Sequence, residues 1–457
     1  MTATDTHRAI DAVWRIESPR LIAGLARIVH DIGIAEDLAQ DALVAALEQW
    51  PESGVPDNPG AWLMATAKHR AIDYFRRNTR VERKHEELGR EGVIQKVGTR
   101  EVRAGEVDME DLDAALDDDV GDDLLRLMFT SCHPVLASEA RVALTLRLIG
   151  GLTTDEIARA FLVPEPTVAQ RIVRAKRALA EKQVPFEVSR GADRVARLSS
   201  VLEVIYLVFN EGYTATAGDD WMRPALCEEA LRLGRILAEL APQEPEVHGL
   251  VALMEIQASR AKARVGPSGE PVLLLNQNRA HWDQLLIRRG LAALSRAEKL
   301  RSEKLRTEKP RAGKLAAEKL GGARGAYVVQ AEIAACHARA RTPEETDWAR
   351  IAALYDELAQ VAPSPVVELN QAVAVGMAFG PAAGLERVDM LISDPSLEKY
   401  HLLPAVRGDL LNKLGRMEEA RVEFERAAAL TRNTRERELL LERARTCADG
   451  SKPPQSQ

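Results

Sequence analysis

The stretch LTTDEIARAFLVPEPTVAQRIVRAKRAL, Leu152–Leu179, constrains the chain more than any other. Thr153 with Glu156 three residues later makes a capping box, which starts a first helix. Ile157, Ala158 and Phe161 give that helix one apolar stripe. The chain turns within Leu162–Pro164, and Pro166 falls in the first turn of a second helix, where a missing N–H costs nothing. Val168, Ile172, Ala175 and Leu179 recur at steps of four, three and four, so they share an inward face. Thr167, Gln170, Arg171, Arg174 and Arg177 are left outside. A rigid corner followed by a helix with an outward Gln/Arg face is a helix-turn-helix suited to a major groove. Gln and Arg make bidentate contacts with base edges, while the later Lys176 and Arg177 meet phosphates. The competing reading is a surface helix with a solvated charged face.

At 457 residues the chain exceeds one ordinary core, so several domains are expected. Hydrophobic residues make up 46% but aromatics only 4%, which predicts an all-α protein with cores of small aliphatic side chains. With a net charge of −7, any nucleic-acid-binding surface must be local. Cys132, Cys227, Cys336 and Cys447 lie far apart without a CxxC pair, so neither a disulfide framework nor a zinc ribbon is suggested. The adjacent pairs Cys132-His133 and Cys336-His337 point apart on a helix and read as buried cysteines with surface histidines. No nucleophile elbow or paired-carboxylate motif is present, so neither an enzyme, a metal site nor a cofactor is expected. No run has the length of a membrane span and the start lacks a signal-peptide core, so the expected location is cytoplasmic.

Four blocks follow along the chain. Residues 6–80 show helical spacing in Leu21, Ile22, Leu25, Ile28 and Val29, and again in Leu38, Ala42, Ala45, Ala46 and Trp50. Residues 81–124 break it; Glu101–Leu124 holds eleven acidic residues against one basic, a solvated or partner-bound linker. Residues 125–186 contain the helix-turn-helix. Residues 193–448 form a long helical extension, before a disordered tail at 449–457. In LPAVRGDLLNKLGRMEEARVEFERAAAL, Gly408, Leu411, Gly415, Ala420, Phe424 and Ala427 have tetratricopeptide spacing. Ile351, Tyr355, Leu358 and Pro363 fit part of another unit, and ILAELAPQEPEVHGL echoes LYDELAQVAPSPVVEL. A tetratricopeptide-like helical-hairpin array is therefore expected. The quasi-repeat at Ala297–Leu320, within a charged insertion at 297–322, reads as a solvated helical excursion or disorder.

AEDLAQDALVAALEQW followed by NPGAWLMATAKHRAIDYFRRNTR resembles region 2 of sigma-70 family initiation factors of the extracytoplasmic-function type, and the helix-turn-helix resembles their region 4. The resemblance implies that Asp37, Gln40 and Asp41 lie on the helix that docks on core RNA polymerase. It also implies that Trp62, Lys68, His69, Arg70, Asp73, Arg76 and Arg77 face the minus-10 promoter element. Thr167, Gln170, Arg171, Arg174, Lys176 and Arg177 then face the minus-35 element. The charges agree: residues 68–84 hold seven Lys/Arg against two acids, and Trp62, Tyr74 and Phe75 offer rings to unstacked bases. Lys68-His69 stands where the family commonly has Arg-Asn, and Pro164 replaces its Ser/Thr cap, which leaves the promoter sequence open. In the family the linker threads toward the polymerase cleft; a plain tether is the alternative.

FNEGYTATAGDDW, Phe209–Trp221, together with the array, resembles the subgroup whose extension is fused in the same chain, usually without a membrane anti-sigma factor. Gly212 and Gly218 lack a following Lys-Ser/Thr, so this is no phosphate-binding loop. It reads as a polar surface turn, with Asn210, Gly212, Tyr213 and Asp220 available for a regulatory contact. The expected function is a sigma factor whose partners are core RNA polymerase and promoter DNA, regulated by its extension and an unknown partner of it, without a membrane role. The alternative is a helix-turn-helix regulator with a ligand- or peptide-sensing solenoid, acting without polymerase recruitment.

Overall fold

Helices of a chain this rich in Ala and poor in aromatics gain stability by close approach rather than by large side chains. The computed structural model describes residues 3–88, 120–187, 191–267, 269–308, 324–448 and 450. Two units divide it, Met1–Val204 and Ile205–Gln457.

In the first unit, α1 (Ala3–Val29), α2 (Ile32–Ser53) and α3 (Pro59–Leu88) pack on one another. Leu21, Ile22, Leu25 and Val29 of α1 are buried as their spacing predicts, as are Leu38, Ala42, Ala45, Ala46 and Trp50 of α2. Asp31 caps α2 by accepting from the Ile34 N–H at 2.9 Å. There follow α4 (Val120–Ser131), α5 (Ser138–Leu148), α6 (Thr154–Phe161) and α7 (Glu165–Glu181). The unit runs beyond the expected boundary at 186, because it uses the first half of α8 (Gly191–Tyr213). Leu198, Val201 and Leu202 are buried, Ser200 Oγ donates to the Cys132 carbonyl at 2.5 Å, and Glu203 pairs with Arg141 at 3.0 Å.

The second unit is a helical succession: α9 (Pro224–Leu240), α10 (Pro245–Ala258), α11 (Gln284–Glu308), α12 (Ala326–Arg339), α13 (Trp348–Val361), α14 (Pro365–Phe379), α15 (Pro381–Leu391), α16 (Leu402–Lys413), α17 (Met417–Leu430) and α18 (Thr434–Ala448). Most of these helices pack on their immediate successor, and α10 also packs on α12. Prolines open α9, α10, α14 and α15, where no N–H is required. Gly408 shows why small residues sit at the crossings: a Cβ there would lie 2.9 Å from the Phe424 ring. Phe424, Leu411, Ala420 and Ala427 are fully buried in that same core.

Two expectations change. The Ala297–Leu320 stretch begins inside the core, since Ala297 and Leu300 of α11 are buried beside Leu294. Leu294, Ala297 and Leu300, at three-residue steps, give α11 an apolar stripe beneath its charges. The remainder of that insertion, most of the acidic linker and nearly all of the tail lie outside the described residues. The Phe209–Trp221 segment is also not a surface turn at its glycine. A Cβ on Gly212 would lie 2.6 Å from the Cys227 nitrogen, and Tyr213 is buried with its ring stacked on Phe209. Only Thr216, Asp219 and Asp220 of that segment are well exposed.

The two ends of the helical succession meet. Strand β1 (Ala217–Gly218) pairs in parallel with β2 (Arg432–Asn433). Asn433 is 1% exposed; its Nδ2 donates to the carbonyls of Ala215 at 3.2 Å and Asp220 at 2.8 Å, and its Oδ1 accepts from the Glu436 N–H at 3.1 Å. Apart from this tie and an isolated bridge between Val265 and Pro271, the architecture of the described residues is all-α. Asn433→Ala leaves the carbonyls of Ala215 and Asp220 short of a donor and is expected to cost the extension about 1–3 kcal/mol. A lowered urea midpoint, followed through Trp221 fluorescence, checks it; an unchanged midpoint means the ends are not held by this amide.

Candidate nucleic-acid interface

The capping box forms as its spacing predicts: the Glu156 N–H donates to Thr153 Oγ1 at 3.1 Å, and the Thr153 N–H to Glu156 Oε2 at 2.8 Å. The corner is made by Leu162, whose φ of 50° is left-handed for a residue with a side chain. Pro164 precedes α7 without a side-chain cap. Val168, Ile172, Ala175 and Leu179 are all buried. Gln170, Arg174 and Arg177 are exposed, Arg177 pairing with Glu181 at 2.8 Å, while Thr167 and Arg171 are half-buried. Val173 stands on the same outer face, 64% exposed. A residue-type search for Gln and Arg overlooks it, but its helical position between Gln170 and Arg174 places it on that face.

Lys176 does not join that face in this conformation. Its Nζ lies 2.5 Å from Oε2 of Glu36, near the start of α2. Glu36 is 3% exposed and its Oε1 is held by Arg147 Nε at 2.7 Å and Gln40 Nε2 at 2.8 Å. Burial by itself would raise the pKa of this carboxyl; the adjoining Lys176 and Arg147 charges and hydrogen bonds outweigh it and hold the value below the ordinary one. Arg27 of α1 pairs with buried Asp123 of α4 at 3.0 Å, and Arg15 pairs with Glu156. The N-terminal helices are thus fastened to the helix-turn-helix. No local sequence pattern marks Glu36, whose partners lie 111 and 140 residues away.

On α2, Asp37 and Asp41 are exposed and share a stripe with Val44, which is 51% exposed and was not singled out by sequence. Gln40 turns from that stripe toward Glu36. Burial, with the Glu36, Asp41 and Asp31 carboxylates, raises the Asp37 pKa against the lowering effect of Lys176. On α3, Leu63, Ala67 and Ala71 face inward at steps of four. That leaves His69, Arg70, Asp73, Arg76 and Arg77 exposed and Lys68 half-buried. Trp62 is half-buried, its ring edge-on to Trp50 with centroids 5.3 Å apart, so it is both a core contact and a surface ring. Tyr74 and Phe75 are half-buried with centroids 5.8 Å apart.

Family profiles match these same regions: Sigma-70 region 2 over residues 14–81 and Sigma-70 region 4 over 126–179. "Probable ECF RNA polymerase sigma factor SigI" of Mycobacterium tuberculosis, in two strains, is 28% identical over 190 residues, 41% of this chain and 60% of its own length. An uncharacterized protein of Rhizobium meliloti, R00370, is 40% identical over 427 residues, 93% of either chain. The chain belongs to the extracytoplasmic-function group of the sigma-70 family. It is a sigma factor for transcription initiation, a transcription factor whose partners are core RNA polymerase and promoter DNA. Its region 2 comprises α1–α3, and its region 4 lies within α4–α7. A family of unknown function, DUF6596, matches residues 197–298 of the extension. No solved structure matches.

Among the described residues no helix is long and apolar enough to cross a membrane, and no group of three His, Cys, Asp or Glu side chains is placed to hold a metal. The four cysteines are buried, and burial pushes the Cys132 and Cys227 thiols up to about 11 and about 12. His337, expected at the surface, is 8% exposed instead, because it ends α12 beneath Trp348.

The Glu36 cluster sets an acid limit on region 2–region 4 packing. A folded pKa below the unfolded 4.5 means that its stabilisation is fully present above that value and is lost as pH falls through the lower, folded one. Glu36→Gln is expected to cost about 1–3 kcal/mol at neutral pH and to remove that acid step. Hydrogen exchange of α5 and α7 measured against pH checks both; an identical acid profile in the variant would assign the step elsewhere.

Proposed function

We propose that Asp37 and Asp41, with Val44 on the same stripe, dock on core RNA polymerase. The exposed face of α3 from His69 to Arg77 meets the minus-10 element, and Trp62, Tyr74 and Phe75 lie along it to stack on unpaired bases. Gln170, Arg171 and Arg174 read base edges of the minus-35 element, while Thr167 and Arg177 position the helix. The observation that carries this reading is the sorting of side chains on α2, α3 and α7. Each helix buries one stripe of Ala, Leu, Ile or Val and turns its polar stripe to solvent.

This reading has a geometric consequence. The two promoter elements lie about 25 base pairs apart by their positions, about 85 Å at 3.4 Å per pair. A compact unit of this length has a radius of gyration of about 17 Å, or about 43 Å across. Regions 2 and 4 packed as here cannot read both elements at once. Engagement therefore separates them at Glu36, Arg147 and Lys176, which releases Lys176 to meet phosphate. The packed state is the resting form, and polymerase contacts along the α2 stripe stabilise the parted one.

Co-purification with core polymerase tests the docking assignment. Asp37→Arg with Asp41→Arg is expected to abolish association while leaving far-ultraviolet helicity unchanged. Undiminished association with core enzyme contradicts it, and DNA binding in the absence of any polymerase association favours the plain helix-turn-helix regulator.

The extension is read as setting the competence of regions 2 and 4. A covalent tether keeps its local concentration beside them near millimolar, so weak contacts suffice. Within the Phe209–Trp221 segment, exposed Asp220 and half-exposed Asn210 suit such a contact, whereas Gly212 and Tyr213 support it from inside. A chain ending at Tyr213 keeps the α8 residues on which region 4 packs, as one ending near 190 does not. It is expected to fold and to lose promoter-dependent transcription in vitro; output equal to that of the full chain would make the extension a passenger.

A further inference from the structure

The outer face of α7 is divided along its length. Residues of a helix step round its axis by about 100° each, and Val168, Ile172, Ala175 and Leu179 fix the buried side. Gln170 and Arg177 lie opposite that side. Thr167 and Arg174 flank them on one edge, and Ala169 and Val173 flank them on the other. The first edge carries hydrogen-bonding groups, and the second carries only carbon. Lys176, which borders the second edge, is drawn away to Glu36 at 2.5 Å.

Nothing in the packing of α7 calls for a valine at 173. The other branched side chains of the helix, Val168, Ile172 and Leu179, are at most 6% exposed, whereas Val173 is 64% exposed. A β-branched residue is a poorer helix former than Ala, Arg or Gln, and here no burial offsets that cost. Ala169, Gln170 and Arg177, one turn away, are themselves exposed and leave its methyls open to solvent. Those methyls are held by one preferred χ1 rotamer, so they present a fixed apolar surface. A single exposed valine is ordinary on a protein surface. This one stands inside the face that carries Gln170 and Arg174. Their side chains match the donors and acceptors of base edges in a major groove, but one group there suits neither of them: the C5 methyl of thymine.

We propose that Val173 is a specificity-determining residue that packs on the C5 methyl of a thymine in the minus-35 element, with the small Ala169 beside it permitting close approach. The assignment rests on the reading of α7 as the minus-35 helix and adds the base type that one position of it selects. Three residues separate Val173 from Gln170, about 4.5 Å along the axis at 1.5 Å per residue. That is close to the step of about 3.4 Å between base pairs, so the thymine lies next to the pair that Gln170 reads. Selection also works by exclusion. A polar base edge turned toward Val173 would lose water without gaining a hydrogen bond, which disfavours the wrong base.

The test uses the full chain bound to core polymerase, on a promoter that this holoenzyme selects from genomic DNA. Each thymine of the minus-35 element, on either strand, is replaced in turn by deoxyuridine, which removes only the C5 methyl, and equilibrium binding is measured. Deoxyuridine at one position is expected to weaken binding about three- to fivefold, the effect of one methyl group returned to water. Val173→Ala, which an exposed helical site tolerates, should weaken the unmodified promoter by a similar factor and be indifferent to deoxyuridine there. Gln170→Ala should keep the deoxyuridine effect while relaxing discrimination at the neighbouring pair. A selected element without an A·T pair, tolerance of deoxyuridine at every position, or an undiminished deoxyuridine effect in Val173→Ala would each overturn the assignment. With any of those results, relaxed discrimination in Gln170→Ala would confine the failure to Val173, whereas unchanged discrimination would remove the reading of α7 as well.

Discussion

Burying Glu36 takes a carboxylate out of water at a cost of several kcal/mol, which only close cations and complete hydrogen bonding can offset. Arg147 from α5 and Lys176 from α7 supply the charges, and Gln40 a further hydrogen bond. Because both cations sit on helices of region 4, satisfying one carboxylate fixes region 4 against region 2. Further ties between the regions include Arg27 with Asp123 and Arg15 with Glu156. Ion pairs at such a joint suit the proposed separation, since water and phosphate can replace each partner once the regions part.

The extension is held by the opposite means. Its helices meet through Gly, Ala and Leu, and the Phe424 ring lies against Gly408, where one added carbon would clash. Such packing is dense and tolerates little change. Asn433 then joins the end of the succession to its beginning by backbone-directed hydrogen bonds, so terminal helices that would be free in an open array are tied. The same economy of small residues leaves little aromatic surface, and much of what the extension has is gathered at Tyr213, Trp221, Trp282 and Trp348. There arginines stack on the rings and close helix ends in place of carboxylates.

Periodicity and capping chemistry made much of this legible from residues alone. The steps from Val168 to Leu179, the Thr153–Glu156 box and the Leu21–Val29 stripe are local patterns, and local backbone geometry with one buried face is enough to fix them. Gly408 and Phe424 stood out in advance as a small and a large position of tetratricopeptide spacing, and the structure sets one against the other. The cations of α3 were legible from their clustering in residues 68–84 and from the resemblance to region 2, and the structure adds the inward Leu63, Ala67 and Ala71 that leave them exposed.

What the sequence could not decide concerns partners far apart in the chain. Lys176 reads as an outward phosphate ligand on its own helix; only the approach of α2, 140 residues earlier, turns it onto Glu36. Gly212 and Tyr213 read as a polar turn until Cys227, Phe209 and Arg264 close around them. His337 reads as a surface histidine until Trp348 covers it. Spacing along a chain determines which side chains share a face of one helix. Which charges meet, and which are left alone, depends on how the helices are brought together, and that is settled by tertiary packing alone.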